Sequence, residues 1–300
     1  MTANPSASIL ARLLALARQR NDDYSVLLNR FALERLLCRV GVSPHANRFL
    51  LKGALLFTLW YDEPHRPTRD ADLLGFGPND AAHLIATFRE IAAIDLGDSV
   101  VFDLQSIRAG TIREDNAYGG LRINLAARIG TTRCALQVDV GYGDAVTPEP
   151  QTVTLPAVLG GFVGPTLRVY PVYTVIAEKY QAMVMLGLAN TRMKDFYDLS
   201  VIARRTKLDG ATLAKAIAAT FAGRSTPLPS EPPLALRRRF SEDDAKLRQW
   251  QAFLKRSRIV TSPLADTVAL LQMLLWPPTQ VAASGSTATA TWSPEAAMWV

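Results

Sequence analysis

Apolar positions recur at helical spacing along the first forty residues. Ile9, Leu13, Leu14 and Ala17 follow Ser8, a residue able to cap a helix, and Val26, Leu27, Phe31, Leu36, Leu37 and Val40 follow Asp22 and Asp23. Two amphipathic helices are predicted, the second broken at Val42-Ser43-Pro44. From Phe49 an apolar run enters Lys52-Gly53-Ala54. Leu55, Leu56, Leu59 and Trp60 then repeat at helical spacing, with Pro64 and Pro67 as the stop. Asp70-Ala71-Asp72 leads into Leu73-Leu74, a strand pattern, and Pro78-Asn79-Asp80 introduces a helix from Ala81 to Ala93. Beyond it the period shortens to two. Val100-Val101-Phe102 is followed by the polar stretch Glu114 to Gly120, then by Leu121 to Ile129 and Cys134 to Val140, joined as a hairpin through Gly130-Thr131-Thr132.

Pro and Gly punctuate Pro148 to Pro165, and the main domain boundary is placed there. Helical patterns return at Val175–Val184, stopped near Gly187 and Asn190, and from Arg192 to Arg205. Pro227 to Pro233 is a linker, Phe240 to Ile259 a basic helix, and the Ser/Thr/Ala-rich end after Trp276-Pro277-Pro278 a disordered tail. The chain thus divides into N-terminal helices (1–48), a core (49–150), a helical C-terminal domain (165–260) and the tail (276–300). Its 300 residues, 49% hydrophobic, suffice for a sizeable core. No apolar run is long enough for a bilayer and the N-terminus lacks the pattern of a secretion signal, so a cytoplasmic protein without a membrane partner is expected. Cys38 and Cys134 sit in apolar contexts, as buried free thiols do.

Charge sharpens this picture. Thirteen Lys/Arg face five Asp/Glu between Arg204 and Arg258, a surplus of +8 within a chain of net +6. Such a flank suits a polyanionic substrate, and it equally suits a solvated helical face.

Candidate chemistry centres on Gly53 and the two acids beyond it. A residue without Cβ, where a strand or turn passes into a helix, lets backbone N–H groups approach a phosphate. Asp70 and Asp72, two apart on a strand, point to one side roughly 6–7 Å apart, where they can converge on Mg²⁺ and hold a triphosphate. The same DxD also occurs on solvated edges and in metal-dependent glycosyltransferases. Asp139 lies inside an apolar strand and needs a partner: an arginine, a backbone amide, or a metal shared with Asp70 and Asp72. Asp195 and Asp198 share a helical face, a pattern that capping also produces.

Four blocks in order, LKGALLF…TRDADLL, LQVDVGYGD, VIAEKYQAMV and TRMKDFYDL, resemble the abortive-infection nucleotidyltransferase toxins of the AbiEii/AbiGii type, within the polymerase-β-like nucleotidyltransferase group. The resemblance spans roughly residues 8 to 260. It implies an α/β (α+β) fold, a mixed sheet flanked by helices, with a helical C-terminal domain. It also implies transfer of a nucleotide from an NTP to an acceptor, which is the tRNA end for some members, and a cognate antitoxin as partner. Carried onto this chain, the motifs make Asp70, Asp72 and Asp139 the Mg²⁺ ligands and add Lys179 and Asp195 to the catalytic set. Lys52, Gly53, Ala54, Lys179 and Lys194 become the nucleotide-binding residues. Lys179 would neutralise the β/γ oxygens, and Asp195 would orient Lys179 or Lys194, contact ribose or cap its helix. Ala54 departs from the Gly or Ser of many members, which removes a hydroxyl contact to phosphate. A glycosyltransferase would leave the Glu178-Lys179 and Lys194-Asp195 blocks unexplained, and a non-catalytic binding module would leave the retained acids unexplained.

Overall fold

The computed structural model of the chain describes residues 4–61, 68, 70–112, 119–286 and 290–300. Pro64, Pro67 and most of the polar stretch from Glu114 lie outside them. The chain forms two units, Met1–Gly143 with Pro150–Tyr170, and Asp144–Glu149 with Pro171–Val300.

In the first unit, helix α1 (Pro5–Arg20) begins at Asn4, not Ser8. The Asn4 side chain accepts from the N–H groups of Ser6 and Ala7, and Pro5 stands where a missing N–H costs nothing. Asp23 caps α2 (Tyr24–Val42) in the same way. Strand β1 (Phe49–Lys52) follows. The helix expected after Gly53 is shorter than its apolar spacing suggests: a 3-10 turn over Gly53–Leu56 and then α3 (Phe57–Trp60). Strand β2 (Asp70–Gly75) carries both acids, and Asp80 caps α4 (Ala81–Ala93). The middle supplies β3 (Val100–Ile112), β4 (Gly120–Ile129) and β5 (Thr132–Tyr142), longer strands than the sequence pattern marks.

The stretch read as a domain boundary instead contributes β6 (Gln151–Thr154) and β7 (Thr166–Val169) to the same sheet. Among the described residues that sheet has seven strands in the order β3-β4-β5-β2-β1-β7-β6, with β2–β5 and β1–β7 parallel and the other pairs antiparallel. Leu51, Leu73, Val140 and Leu121 lie in register across four strands, Ala71, Val138 and Ile123 across three, and all seven are buried. They form the sheet's apolar face. The guanidinium of Arg39 ties α2 to the start of β3. It bonds both Asp98 oxygens at 2.7 and 2.9 Å and donates to the carbonyls of Ile94 and Val100, so a buried charge has all its needs met. Cys38 and Cys134 are buried free thiols, and burial pushes the Cys38 thiol up to about 11.

The second unit holds α5 (Val172–Leu186), α6 (Met193–Arg205), β8 (Leu208–Asp209), α7 (Gly210–Gly223), α8 (Arg238–Ser241), α9 (Asp244–Ser257), α10 (Leu264–Ser284), β9 (Thr291–Ser293) and β10 (Met298–Trp299). Two expectations fail here. The basic helix is broken at Glu242-Asp243, where Asp243 caps α9. The C-terminal segment is structured, not a disordered tail. Helix α10 runs on through Pro277 and Pro278, which deprive the carbonyls of Met273 and Leu274 of their helical N–H partners. The indole N–H of Trp299 replaces them, lying 3.1 and 3.3 Å from the two oxygens. Trp292, fully buried on β9, packs edge-on against Trp299 and donates to the Ala203 carbonyl at 2.7 Å.

Candidate active site

Register and alternation set the polar face of the first unit's sheet. Lys52 is opposite Asp72, Asp72 is beside Asp139, and Asp139 is opposite Arg122, so four charged side chains from β1, β2, β5 and β4 form one row. Side chains in register project to the same side, about 4.8 Å from strand to strand. Two residues along, Asp70, Gln137 and Asn124 form a second row on that face. All three predicted metal acids therefore share one surface.

Gly53 is required by this arrangement. It holds φ +76°, and a Cβ there would fall 2.7 Å from the Asp72 carboxyl carbon and closer still to one of its oxygens. The missing side chain is the space that the Asp72 carboxylate fills. Lys52 sets its ammonium 5.3 Å from the centre of the Tyr170 ring, and Ala54 is buried. Thr68 donates to Asp70 Oδ1 at 2.8 Å.

Asp139 has found an arginine. Arg122 Nε and Nη2 donate to its two oxygens at 2.8 and 2.7 Å, a fork-to-fork pair. Among the described residues no three His, Cys, Asp or Glu side chains are gathered tightly enough to hold a metal ion. The acids are in register, but each is engaged by its own neighbour. Arg122 has no place in the motif blocks. The two-residue turn Gly130-Thr131 sets a register that leads back to it, whereas a three-residue turn leaves that register open.

Lys179, Asp195 and Lys194 belong to the second unit. Lys179 Nζ donates to Asp195 Oδ1 at 2.5 Å and Asp198 Oδ2 at 2.8 Å, and Arg192 Nε donates to Asp195 Oδ2 at 2.7 Å. Burial opposes the charge on Lys179, but the two carboxylates outweigh it, and its pKa lies above the ordinary value. Burial likewise works against ionisation of Asp195, and Lys179 and Arg192 reverse that, holding its pKa below the ordinary value. Lys194 is exposed and makes no ion pair among the described residues. A second network joins Arg224 to Asp144 at 2.7 Å and to Glu178 at 3.5 Å.

The basic segment divides. Lys246 is buried, donating to the Asn190 carbonyl at 2.9 Å, and Arg224 is drawn inward by its acids. Arg237 pairs with Glu231, and Arg238 with Glu242. Ten of the thirteen cations are exposed, so the segment is basic at the surface but less so than its composition implies.

A family profile described as nucleotidyl transferase AbiEii toxin, type IV TA system, matches residues 35–272. No curated protein matches the chain. Two Helicobacter pylori crystal structures are similar. One, a candidate nucleotidyltransferase, is 15% identical with a TM-score of 0.49, covering 88% of this chain and 98% of its own. The other, JHP933, is 16% identical with a TM-score of 0.47, covering 87% and 92%.

Proposed function

Because the chain belongs to the AbiEii nucleotidyltransferase toxin family, and is therefore a nucleotidyltransferase of a type IV toxin–antitoxin system, we propose that its chemistry runs on the polar sheet face of the first unit. The observation that carries this reading is Gly53. It holds a positive φ beside a strand end, and a side chain there would occupy the space of the Asp72 carboxylate. Asp70 and Asp72 fit Mg²⁺: they are hard oxygen donors on one strand face with Lys52 alongside. Bound there, the ion would neutralise a triphosphate and make pyrophosphate a better leaving group. Asp139 is the third candidate ligand, on the adjoining strand. Lys52, Gly53 and Ala54 are the nucleotide-binding residues from this unit. The motif blocks of the second unit add Lys179 and Asp195 to the catalytic set and Lys179 and Lys194 to the nucleotide-binding set, and we take the buried Lys179–Asp195–Asp198 network as the element that must stay intact for transfer.

The acceptor is an RNA hydroxyl, with tRNA the first choice, and the exposed cations between Arg204 and Arg258 supply the charge that a polyanion needs. A cognate antitoxin opposes the activity.

Incubation with each labelled NTP, Mg²⁺ and total RNA tests this reading. Labelled RNA is expected from the parent chain, with at least about a 10²-fold loss for Asp72→Asn at unchanged circular dichroism. Full turnover in a folded Asp70→Asn/Asp72→Asn double variant would remove the two acids from the reaction.

A further inference from the structure

Both oxygens of Asp139 are taken by a fixed fork, and the residue that takes them stands in the same row. Arg122 is 40% exposed at its side chain, whereas Asp139 beneath it is 15% exposed. A divalent cation shared by Asp72 and Asp139 needs an oxygen that the guanidinium now holds. We propose that Arg122 is an internal competitor for the cation at Asp139: it keeps the third acid closed in the nucleotide-free protein and moves off when the cation enters. The proposal rests on the reading of this face as the metal site.

Three features of the row support an exchange over a permanent strut. The guanidinium borders solvent, so leaving Asp139 does not strand a charge in the interior. Gln137 lies beside the pair on the same strand face: with its carboxamide oxygen turned toward Arg122 it accepts from Nε at 3.2 Å and Nη2 at 3.3 Å, so the guanidinium keeps a polar neighbour as it leaves Asp139. The fork that fits a carboxylate also fits a phosphate, so the displaced guanidinium can be taken up by the nucleotide that arrives with the cation. Cation entry at Asp139 and nucleotide arrival are thereby coupled, and the cation alone meets a closed ligand.

The cost of a closed ligand is set by how rarely it opens. If the pair is open about one time in ten, the apparent cation affinity falls about tenfold. Calorimetric titration of the full-length, nucleotide-free protein with Mn²⁺ reads this directly. Arg122→Met is expected to bind Mn²⁺ about tenfold more tightly than the parent, and Arg122→Lys, which keeps the charge but not the fork, more tightly by a smaller factor. Adding Asp139→Asn to Arg122→Met should erase the gain. Equal Mn²⁺ affinity in the parent, Arg122→Met and Arg122→Lys overturns the competition. If Asp72→Asn still weakens binding in that case, the metal reading survives alone. Mn²⁺ binding indifferent to Asp70→Asn and Asp72→Asn removes the metal from this face, and the competition with it.

Discussion

The first unit pairs Arg122 with Asp139, and the second pairs Lys179 with Asp195 and Asp198, at closely similar distances. Their surroundings differ. Side-chain exposure is 40% and 15% in the first pair, and 14%, 1% and 0% across the second network. Water screens the first and can replace either partner. The second sits where a lone charge has no substitute for its partner, and it reaches neutrality only because Arg192 joins as a second cation against two acids. Contact distance therefore says little about role. An ion pair on the solvent-bordering face of a sheet can be given up to a ligand, whereas a buried one holds its helices together. Lys179 and Asp195, both selected by the motif blocks, are of the buried kind.

The comparison breaks most visibly at Lys179. Lys179→Met removes the ammonium that the buried Asp195 and Asp198 share, and a loss of about 3–5 kcal/mol is expected. Urea unfolding checks this. A loss below about 1 kcal/mol would place the network with the surface pairs and undo the contrast.

Acidity separates the two further. Lys179 is raised above its ordinary 10.5, so its contribution is complete below that value and is lost as pH climbs through the raised one. Asp195 is lowered beneath its ordinary 3.8, so its contribution is complete above that value and is lost as pH falls through the lowered one. The parent's network should then titrate outside about pH 5 to about pH 9, whereas in Lys179→Met burial again opposes ionisation of Asp195, and the stability gap should narrow as pH falls and that carboxylate takes up a proton. A gap that does not change as pH falls would mean that Lys179 does not hold the buried carboxylate ionised.

What could be read from the chain follows the same division between local and distant causes. Asp70 and Asp72 alternate with buried residues on β2, and Gly53 announces a positive φ, because strand period and backbone sterics are written in adjacent residues. The four charged strand residues were not legible as a row, since that depends on β2 lying between β1 and β5, a pairing fixed by the whole sheet. Arg122 was missed through one residue of turn length. The C-terminal segment was misread because two prolines end a helix by local rules, and the donor that rescues their orphaned carbonyls, Trp299, arrives more than twenty residues later. Pro148 to Pro165 was read as the main domain boundary for a related reason: β6 and β7 are short, and β1, which joins them to the sheet through β7, lies more than a hundred residues upstream of it.

The smallest expected effect sharpens the comparison from the other side. Arg122→Met removes a two-point bond to Asp139, but the carboxylate keeps its access to water, so the loss of stability should be about 0–1 kcal/mol. Asp139→Asn should cost no more, because the guanidinium is already half in solvent. A double-mutant cycle over the two sites isolates the pair itself, and about 1 kcal/mol or less of coupling is expected. Raising the salt concentration should lower that coupling, since screening reaches an exposed pair and leaves a buried one nearly untouched. Coupling of the size foreseen at Lys179 would mean that Arg122 anchors β4 to β5 permanently. A guanidinium held that firmly could not yield Asp139 to a cation, and the two ion pairs would then be alike in role as well as in distance.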